Sequence, residues 1–441
     1  MSRALRRKRV LLVGRYFWPL GSIDSAGHLM DLASGLNRAG MQVSVLTPKH
    51  SIVWPDRFTF RELEVHRPIR VFRTGWTARG DRSVSRYVRY LRDWIASDQC
   101  SCDLVFCDSG REEAIGVVEA ASAKQIPAVV RMSGNGRCSD LNFIDENRMG
   151  KRCRSAAIDA SAVVLNNATA HRQWLARGGT AETSHRIAVG IGPTIESSVT
   201  IRQQLRHSLA KINGDLFVPD ASTVVLSVEP MRAESGLGTL VESAYSLAEK
   251  INHLQFWLIG DGPSRDSIYT RIRGDGLRQI TSMPGSFGQT DDVFAAADLM
   301  VHVGDEGFDH QIPSAIAASL PLVIADSPTA REFFSTSAVD ADRGIIESLR
   351  DADQPPADSG DTAASLLWWF DPARPKTLRF AIHQIVRHAA AARNRADRLR
   401  RLLQRETPRS ESIAHYVNLF QALIDRYPST ATGHDAPENT L

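Results

Sequence analysis

The chain has 441 residues, of which 43% are hydrophobic and 23% charged, the composition of a globular protein of about two or three domains. Its formal net charge of +3 gives no reason to expect a nucleic-acid partner, and no apolar stretch approaches the roughly 18 residues of a membrane span. The five cysteines lack zinc-site spacing, so we expect reduced thiols in a cytoplasmic protein and no metal.

Two segments are rich in arginine. Residues 3–9 predict either a solvated tail or a contact with anionic lipid headgroups, which attract each basic residue by about 1 kcal/mol. Residues 393–405 carry apolar side chains at helical spacing, which predicts a helix with a solvated basic face. The expected location is therefore cytoplasmic, with peripheral contact at the inner membrane face as an open alternative.

The first part of the chain alternates strands and helices. Residues 10–14 predict a strand, residues 28–36 a helix that Gly40 ends, and residues 43–46 a second strand. This order indicates a βαβ unit and a parallel sheet. The same pattern recurs in a helix at 112–123 and in strands at 104–107, 128–132 and 162–165. We expect an N-terminal Rossmann-like domain over residues 1–192.

The second part repeats this architecture after a proline-containing connection at 193–221. Its predicted strands are 223–228, 256–259, 299–303 and 321–325, and its predicted helices are 240–250, 264–273 and 314–319. We expect a C-terminal domain over residues 193–411, a terminal helix over 412–427 and a disordered tail over 428–441. Residues 336–363, rich in Asp, Pro and Ser, predict a surface loop.

Two strand ends in the second part carry the most informative turns. One strand runs into the turn Gly260-Asp261-Gly262-Pro263, and another into Glu306-Gly307-Phe308. In open α/β sheets, ligands bind beyond the carboxyl ends of the strands. The two turns therefore predict a crevice for a polar, phosphorylated ligand.

The segments around these turns resemble the group 1 (family 4) retaining glycosyltransferases. The matching stretches are VEPMRAESGLGTL at 228–240, LIGDGP at 258–263, VFAAADL at 293–299 and AASLPLV at 317–323. The resemblance implies an α/β protein of the GT-B fold, in which two Rossmann-like domains with parallel sheets face each other across a cleft. In that family the C-terminal domain binds the nucleotide-sugar donor, and the N-terminal domain binds the acceptor.

The implied function is that of a hexosyltransferase-like enzyme in glycan or polysaccharide biosynthesis. Such an enzyme moves a sugar, with retention, from a nucleotide-diphosphate sugar to a glycan or lipid-linked acceptor. The donor is a co-substrate, so no cofactor is expected. The resemblance also implies that the N-terminus of the helix after Phe308 offers backbone N–H groups and a partial positive charge to the diphosphate.

The resemblance assigns site residues in three groups. The catalytic candidates are Glu306, as an acceptor of hydrogen bonds from donor-sugar hydroxyls, and Arg232, as a cation for the diphosphate. The donor-binding candidates are Gly260, Asp261, Gly262, Gly285, Ser286, Phe287, Gly307, Phe308 and Ser314. The cleft and acceptor candidates are Gly21, Gly27, His28, Arg131 and Ser133.

The chain departs from the family where charge matters most. The family's diphosphate-binding Arg and Lys correspond to Pro230 and Ser235, and its second Glu corresponds to Ser314. Losing these cations weighs against catalysis, because the leaving diphosphate needs neutralisation. Two hypotheses stay open: a divergent transferase with replacement arginines (Arg131, Arg137 or Arg232), and a catalytically degenerate homologue that acts as a binding or scaffold subunit. The first requires that the helix after Phe308 face an open gap.

An NAD-dependent oxidoreductase is not favoured. The first strand ends at Gly14, but the glycine spacing G-x-G-x-x-G that lets a backbone approach a dinucleotide does not follow it.

Overall fold

A computed structural model of the protein describes residues 7–70, 80–335 and 362–427. The expectations for the basic residues before position 7, for most of the loop at 336–363 and for the tail at 428–441 lie outside these ranges. Within them, the strands form one sheet of eight strands and one of six. None of the helices in these ranges combines the length and the apolar character that a bilayer crossing requires.

The elements of the N-terminal part follow in chain order. They are β1 (Arg9–Val13), α1 (Asp24–Arg38), β2 (Gln42–Leu46), β3 (Arg57–Phe60), β4 (Leu63–His66), α2 (Gly80–Ala96), β5 (Leu104–Cys107), α3 (Glu112–Ala123), β6 (Ala128–Met132), α4 (Asp140–Glu146), α5 (Gly150–Asp159), β7 (Ala162–Leu165), α6 (Ala168–Ala176) and β8 (Ser184–Arg186).

The eight-stranded sheet has the order β3-β4-β2-β1-β5-β6-β7-β8. All its neighbouring strands pair in parallel except β3 and β4, which form an antiparallel hairpin. The central strands β5, β6 and β7 are buried along their whole length, as expected for strands covered by helices on both faces. The hairpin was not predicted, because its turn uses Arg61 and Glu62 at positive φ rather than a glycine.

The elements of the C-terminal part again follow in chain order. They are α7 (Val199–Ile212), β9 (Thr223–Val228), α8 (Leu237–Ala248), β10 (Leu254–Ile259), α9 (Arg265–Gly274), β11 (Thr281–Gly285), α10 (Asp291–Ala296), β12 (Leu299–His302), α11 (Gln311–Ala317), β13 (Leu322–Ala325), α12 (Pro328–Phe333), β14 (Trp368–Phe370), α13 (Pro375–Arg387), α14 (Ala389–Glu406) and α15 (Arg409–Arg426).

The six-stranded sheet is parallel throughout, in the order β11-β10-β9-β12-β13-β14. Several element predictions need correction: α8 begins at Leu237 instead of residue 240, and α15 begins at Arg409 instead of residue 412. The expected connection at 193–221 contains helix α7, α1 begins at Asp24 instead of residue 28, and α11 begins at Gln311 instead of residue 314. The first turn of α1 consists of polar and small residues, and that of α11 contains Pro313, so apolar spacing did not mark either start.

The chain runs between the two sheets at two adjacent places. The amide of Ile191 donates to the carbonyl of Thr407 (2.8 Å), and the amide of Arg409 donates to the carbonyl of Ile191 (2.9 Å). Helix α15 then packs on the first sheet, where Tyr416 and Phe420 contact Phe106 of β5. The first and last segments of the chain therefore share one core.

Candidate functional site

The site predicted for a diphosphate is the N-terminus of α11. Strand β12 brings the chain to the carboxyl edge of its sheet, and the loop 303–310 then turns into the helix. Gly307 has φ +99°, a left-handed conformation that glycine adopts without strain. This turn directs several backbone N–H groups of residues 307–311 to one point, toward the N-terminal domain.

The carboxylate of Asp24, at the start of α1, occupies that point. Its Oδ2 accepts from the amides of Gly307 (3.2 Å) and Asp309 (3.0 Å). Its Oδ1 accepts from the amides of His310 (2.7 Å) and Gln311 (3.1 Å). Four backbone donors that would suit a phosphate are thus bound by one side chain of the other domain.

The surroundings of Asp24 disfavour the ionised form of its carboxyl group. Burial, followed by the nearby Asp309 carboxylate, raises the pKa of Asp24 to about 6, although the amides of Gln311 and Asp309 oppose this. Asp24 is therefore ionised at neutral pH. The charge that balances the positive end of α11 comes from the chain itself.

The two domains also touch closely on either side of Asp24. A Cβ added at Gly21 would lie 2.4 Å from the carbonyl oxygen of Gly288, and one at Gly27 would lie 2.1 Å from the ring of His310. Both glycines were expected where backbone approaches a ligand. Here each permits the approach of the opposite domain.

The loop that holds the donor-binding candidates Gly285, Ser286 and Phe287 is bound in the same way. The amide of Ser22 donates to the carbonyl of Phe287 (3.0 Å), and the amide of Phe287 donates to the hydroxyl of Ser22 (3.1 Å). The side-chain amide of Gln311 donates to the carbonyl of Ser22 (2.9 Å). The segment after β1 therefore covers this loop and the start of α11 together.

Arg131, a candidate replacement cation, lies in a buried ion cluster. Its guanidinium contacts Asp108 (2.6 Å) and Asp309 (2.9 Å), and its side chain is 1% exposed. Burial raises the pKa of Asp108 to about 7 against the effect of Arg131. The pKa of Asp309 is lowered, because the guanidinium of Arg131 outweighs the opposing effect of burial. Arg131 is thus paired with two carboxylates, and together with His28 it lines a small cavity of about 30 Å³.

His28 lies beside this cluster, with Nε2 at 4.0 Å from Asp108. Burial, and then Arg131, lower the pKa of His28 to about 3, so the ring is neutral. On the next turn of α1, Asp31 contacts Nδ1 of His310 (2.8 Å) and the guanidinium of Arg409 (2.6 Å). The contact with His310 adds a further polar link between the domains.

Glu306 and Arg232, the two catalytic candidates, do lie together. Nη1 of Arg232 is 2.7 Å from Oε1 of Glu306, and both side chains are partly exposed. They line a cavity of about 60 Å³, room for about four water molecules. Its charged lining consists of Arg137, Arg232, Glu229, Glu234, Asp305 and Glu306. Carboxylates outnumber guanidiniums there, which disfavours a diphosphate.

Three further donor candidates, Gly260, Asp261 and Gly262, make contacts within the C-terminal domain. A Cβ at Gly260 or Gly262 would come within 2.4 Å or less of the carbonyl oxygens of Glu229 and Met231, so both glycines allow two loops to cross. Asp261 accepts a hydrogen bond from the amide of Gly262 (2.8 Å).

Two further donor candidates point into the core. Phe308 packs edge-on against His302, with ring centroids 5.1 Å apart, and Ser314 is 3% exposed.

Gly285 has φ +90° with open space around its Cβ position, and the adjacent Ser286 is partly buried. The acceptor candidate Ser133 bonds Asp140 through both its amide and its hydroxyl (2.9 Å each).

The sequence predictions missed the residues that close the site. Asp24, Asp31, Asp309 and His310 carry the contacts between the domains, and none of them was a candidate. No sequence pattern marked Asp24, because it lies in the polar segment before the helix predicted at 28–36. The described residues contain no group of three or more His, Cys, Asp or Glu side chains placed to hold a metal ion.

Comparison with known proteins identifies the fold. Residues 222–353 match the family model described as "Glycosyl transferases group 1". No curated protein sequence matches the chain.

Three similar solved structures are sucrose-phosphate synthase from Thermosynechococcus elongatus, HepE from Anabaena in complex with UDP and glucose, and an E. coli structure titled "Trehalose-6-phosphate" bound with UDP-2-fluoro glucose. Their TM-scores are 0.65, 0.62 and 0.60, at 15%, 15% and 10% identity. The alignments cover 95%, 94% and 94% of this chain and 100%, 100% and 99% of those chains. The chain therefore has the GT-B fold, and its residues 222–353 carry the sequence pattern of the group 1 glycosyltransferases.

Proposed function

We propose that this chain is a glycosyltransferase homologue that does not turn over a nucleotide-sugar donor and that acts as a binding or scaffold subunit. One observation carries the proposal: the Asp24 carboxylate accepts hydrogen bonds from four amides at the start of α11. A donor diphosphate and Asp24 cannot occupy these amides together. The requirement of an open helix end, on which the transferase hypothesis depends, is not met in this arrangement.

The charges around the helix end support the same proposal. Pro230 and Ser235 stand where the family has its cations, and Arg131 is enclosed by two carboxylates. Arg232 is paired with Glu306. A diphosphate entering here would meet Asp24, Glu306 and their acidic neighbours, with Arg137 as the exposed cation of the cavity, so negative charge prevails where a leaving phosphate needs positive charge.

A second candidate is an active transferase in which the domains separate and Asp24 leaves α11. The family match over residues 222–353 favours it, as do the UDP and UDP-sugar named for HepE and the E. coli structure. In that case the donor is a nucleotide-diphosphate sugar, the acceptor a glycan or lipid-linked sugar, and the reaction retaining. For either candidate we propose a cytoplasmic protein with peripheral membrane contact through residues 3–9.

The deciding experiment incubates the full-length protein with a panel of nucleotide-sugars and simple glycan acceptors. Nucleotide diphosphate release is measured by a coupled assay, and donor binding by calorimetry. We expect neither signal for the native chain. Release or micromolar donor binding by the native protein would overturn the proposal. For the subunit role, Glu306→Ala should leave binding to a partner transferase unchanged, because no donor chemistry depends on that side chain.

A further inference from the structure

Two cysteine thiols lie in contact at the edge of the N-terminal sheet remote from Asp24. Cys100 and Cys102 follow helix α2 and precede strand β5, and their Sγ atoms are 3.6 Å apart. Both side chains are buried, whereas Gln99 and Ser101 beside them are exposed. The pair therefore lies just beneath the surface, in a loop outside the regular elements.

Positive charge surrounds this pair. Nζ of Lys124 donates hydrogen bonds to the carbonyls of Cys100 (2.6 Å) and Ser97 (3.0 Å), which holds the ammonium group beside the loop. The hydrogen bond from Cys102, and then the charges of Lys124 and Arg9, lower the pKa of the Cys100 thiol against the effect of burial. The pKa of Cys102 is raised, and because Lys124 is held at the carbonyl of Cys100, we assign Cys100 as the thiolate and Cys102 as the proton donor of the pair.

The other cysteines differ in this respect. Burial raises the pKa values of Cys107 and Cys153, and burial together with Glu306 raises the pKa of Cys138 to about 12. All five cysteines are free thiols. Because the thiolate is the reacting form, one cysteine of the pair should be oxidised before the other three.

We propose that Cys100 and Cys102 form an oxidisable dithiol that hydrogen peroxide converts into a disulfide. The Cys100 thiolate attacks a peroxide oxygen; an S–O bond forms, the O–O bond breaks, and hydroxide leaves and takes up the proton of Cys102 as water. The Cys102 thiolate then attacks the sulfenic sulfur; the S–S bond forms, the S–O bond breaks and the hydroxyl leaves as a second water after protonation by solvent. The peroxide is reduced by two electrons, and each sulfur is oxidised by one.

This site is independent of the glycosyltransferase fold's ligand region. Strand β5 begins at Leu104, directly after the pair, whereas its carboxyl end leads to Asp108 in the cluster with Arg131. The pair therefore lies at the opposite end of the strand from the contacts between the domains. Oxidation would tie the end of α2 to the start of β5 and leave the Asp24 contact in place.

The test treats the reduced full-length protein with increasing hydrogen peroxide and maps each cysteine by peptide mass spectrometry. We expect a 100–102 disulfide, seen as a peptide lighter by two hydrogen atoms, while Cys107, Cys138 and Cys153 still alkylate. The proposal is overturned if Cys138, the most exposed of the five, is oxidised first or if no disulfide joins residues 100 and 102.

Variants separate the two roles. In Cys102→Ser, the sulfenic acid on Cys100 has no partner and should be trapped by dimedone, whereas Cys100→Ser should give no adduct at residue 102. Cys153→Ser is the matched control, a buried cysteine outside the pair, and should oxidise as the native chain does. Equal trapping in both single variants would contradict the assigned order of attack, and the mapping on native protein needs no variant to fold.

Discussion

Replacing Asp24 by alanine tests the central contact of this molecule. The change leaves four backbone donors without their acceptor. Hydrogen bonds to a charged group contribute about 1.5–3 kcal/mol each, but the carboxylate also carries a burial cost, as its raised pKa indicates. We expect the free energy of unfolding to fall by about 2–4 kcal/mol, less than four full bonds, because water can reach the vacated amides.

The pH dependence of that loss has a definite sign. The pKa of Asp24 is raised from 3.8 to about 6 in the folded protein, so the additional stability that its protonation provides is complete below about pH 4 and is lost as the pH rises through about 6, where the hydrogen-bonded carboxylate remains. Native protein should therefore gain about 1 kcal/mol from Asp24 between pH 7 and pH 5, and Asp24→Ala should lack that gain. Asp108, whose pKa is about 7, titrates in both proteins and cancels in the difference.

Urea unfolding at the two pH values measures both quantities. The same variant should acquire an anion site: for a Kd of about 1 mM, 10 mM pyrophosphate would stabilise it by about 1.4 kcal/mol and the native chain hardly at all. Asp266→Ala, which removes an exposed acid from α9, is the control. The reasoning fails if Asp24→Ala is as stable as the native protein at both pH values, or if pyrophosphate stabilises the two equally.

Two further substitutions test the contact between the domains. Gly27→Ala should force the domains apart, because its Cβ would lie 2.1 Å from the ring of His310; small-angle scattering should show a larger radius of gyration, whereas Gly274→Ala, also in a helix but with open space around it, should not. An unchanged radius in Gly27→Ala would mean that His310 moves instead. Arg131→Met should lower the free energy of unfolding by about 3–5 kcal/mol in urea, because it leaves Asp309 and a second carboxylate buried without their cation; a loss below 1 kcal/mol would show that these acids are neutral.

Much of the fold is predictable because its strands are uniform apolar runs. The observed bounds were predicted for four strands, at residues 104–107, 128–132, 162–165 and 223–228. All their residues except Thr223 are buried, and most of their side chains are apolar. Helix α7 was missed because it lies in a stretch where Pro193 and Pro219 suggested a connection. The two prolines flank the helix, and a proline is as common beside a helix as in a connection without one.

The site was predictable only in part. Glu306, Gly307 and Arg232 were found because they lie within a few residues of strand ends that the apolar pattern locates. Asp24 was not found, because it binds residues 283 to 287 positions away, and a single acid in a polar turn carries no periodic signal. Which partner fills a helix N-terminus is decided by the packing of the domains, which local sequence does not describe.

The chain passes between the two domains at Ile191 and again at Thr407–Arg409, and backbone hydrogen bonds join these two segments. Two backbone segments joined side by side by hydrogen bonds move together, so they act as one hinge between the domains. If the two domains separate, we therefore expect them to rotate about this hinge, and the Asp24 side of the interface should move farthest. That rotation would release all four amides of α11 in one step.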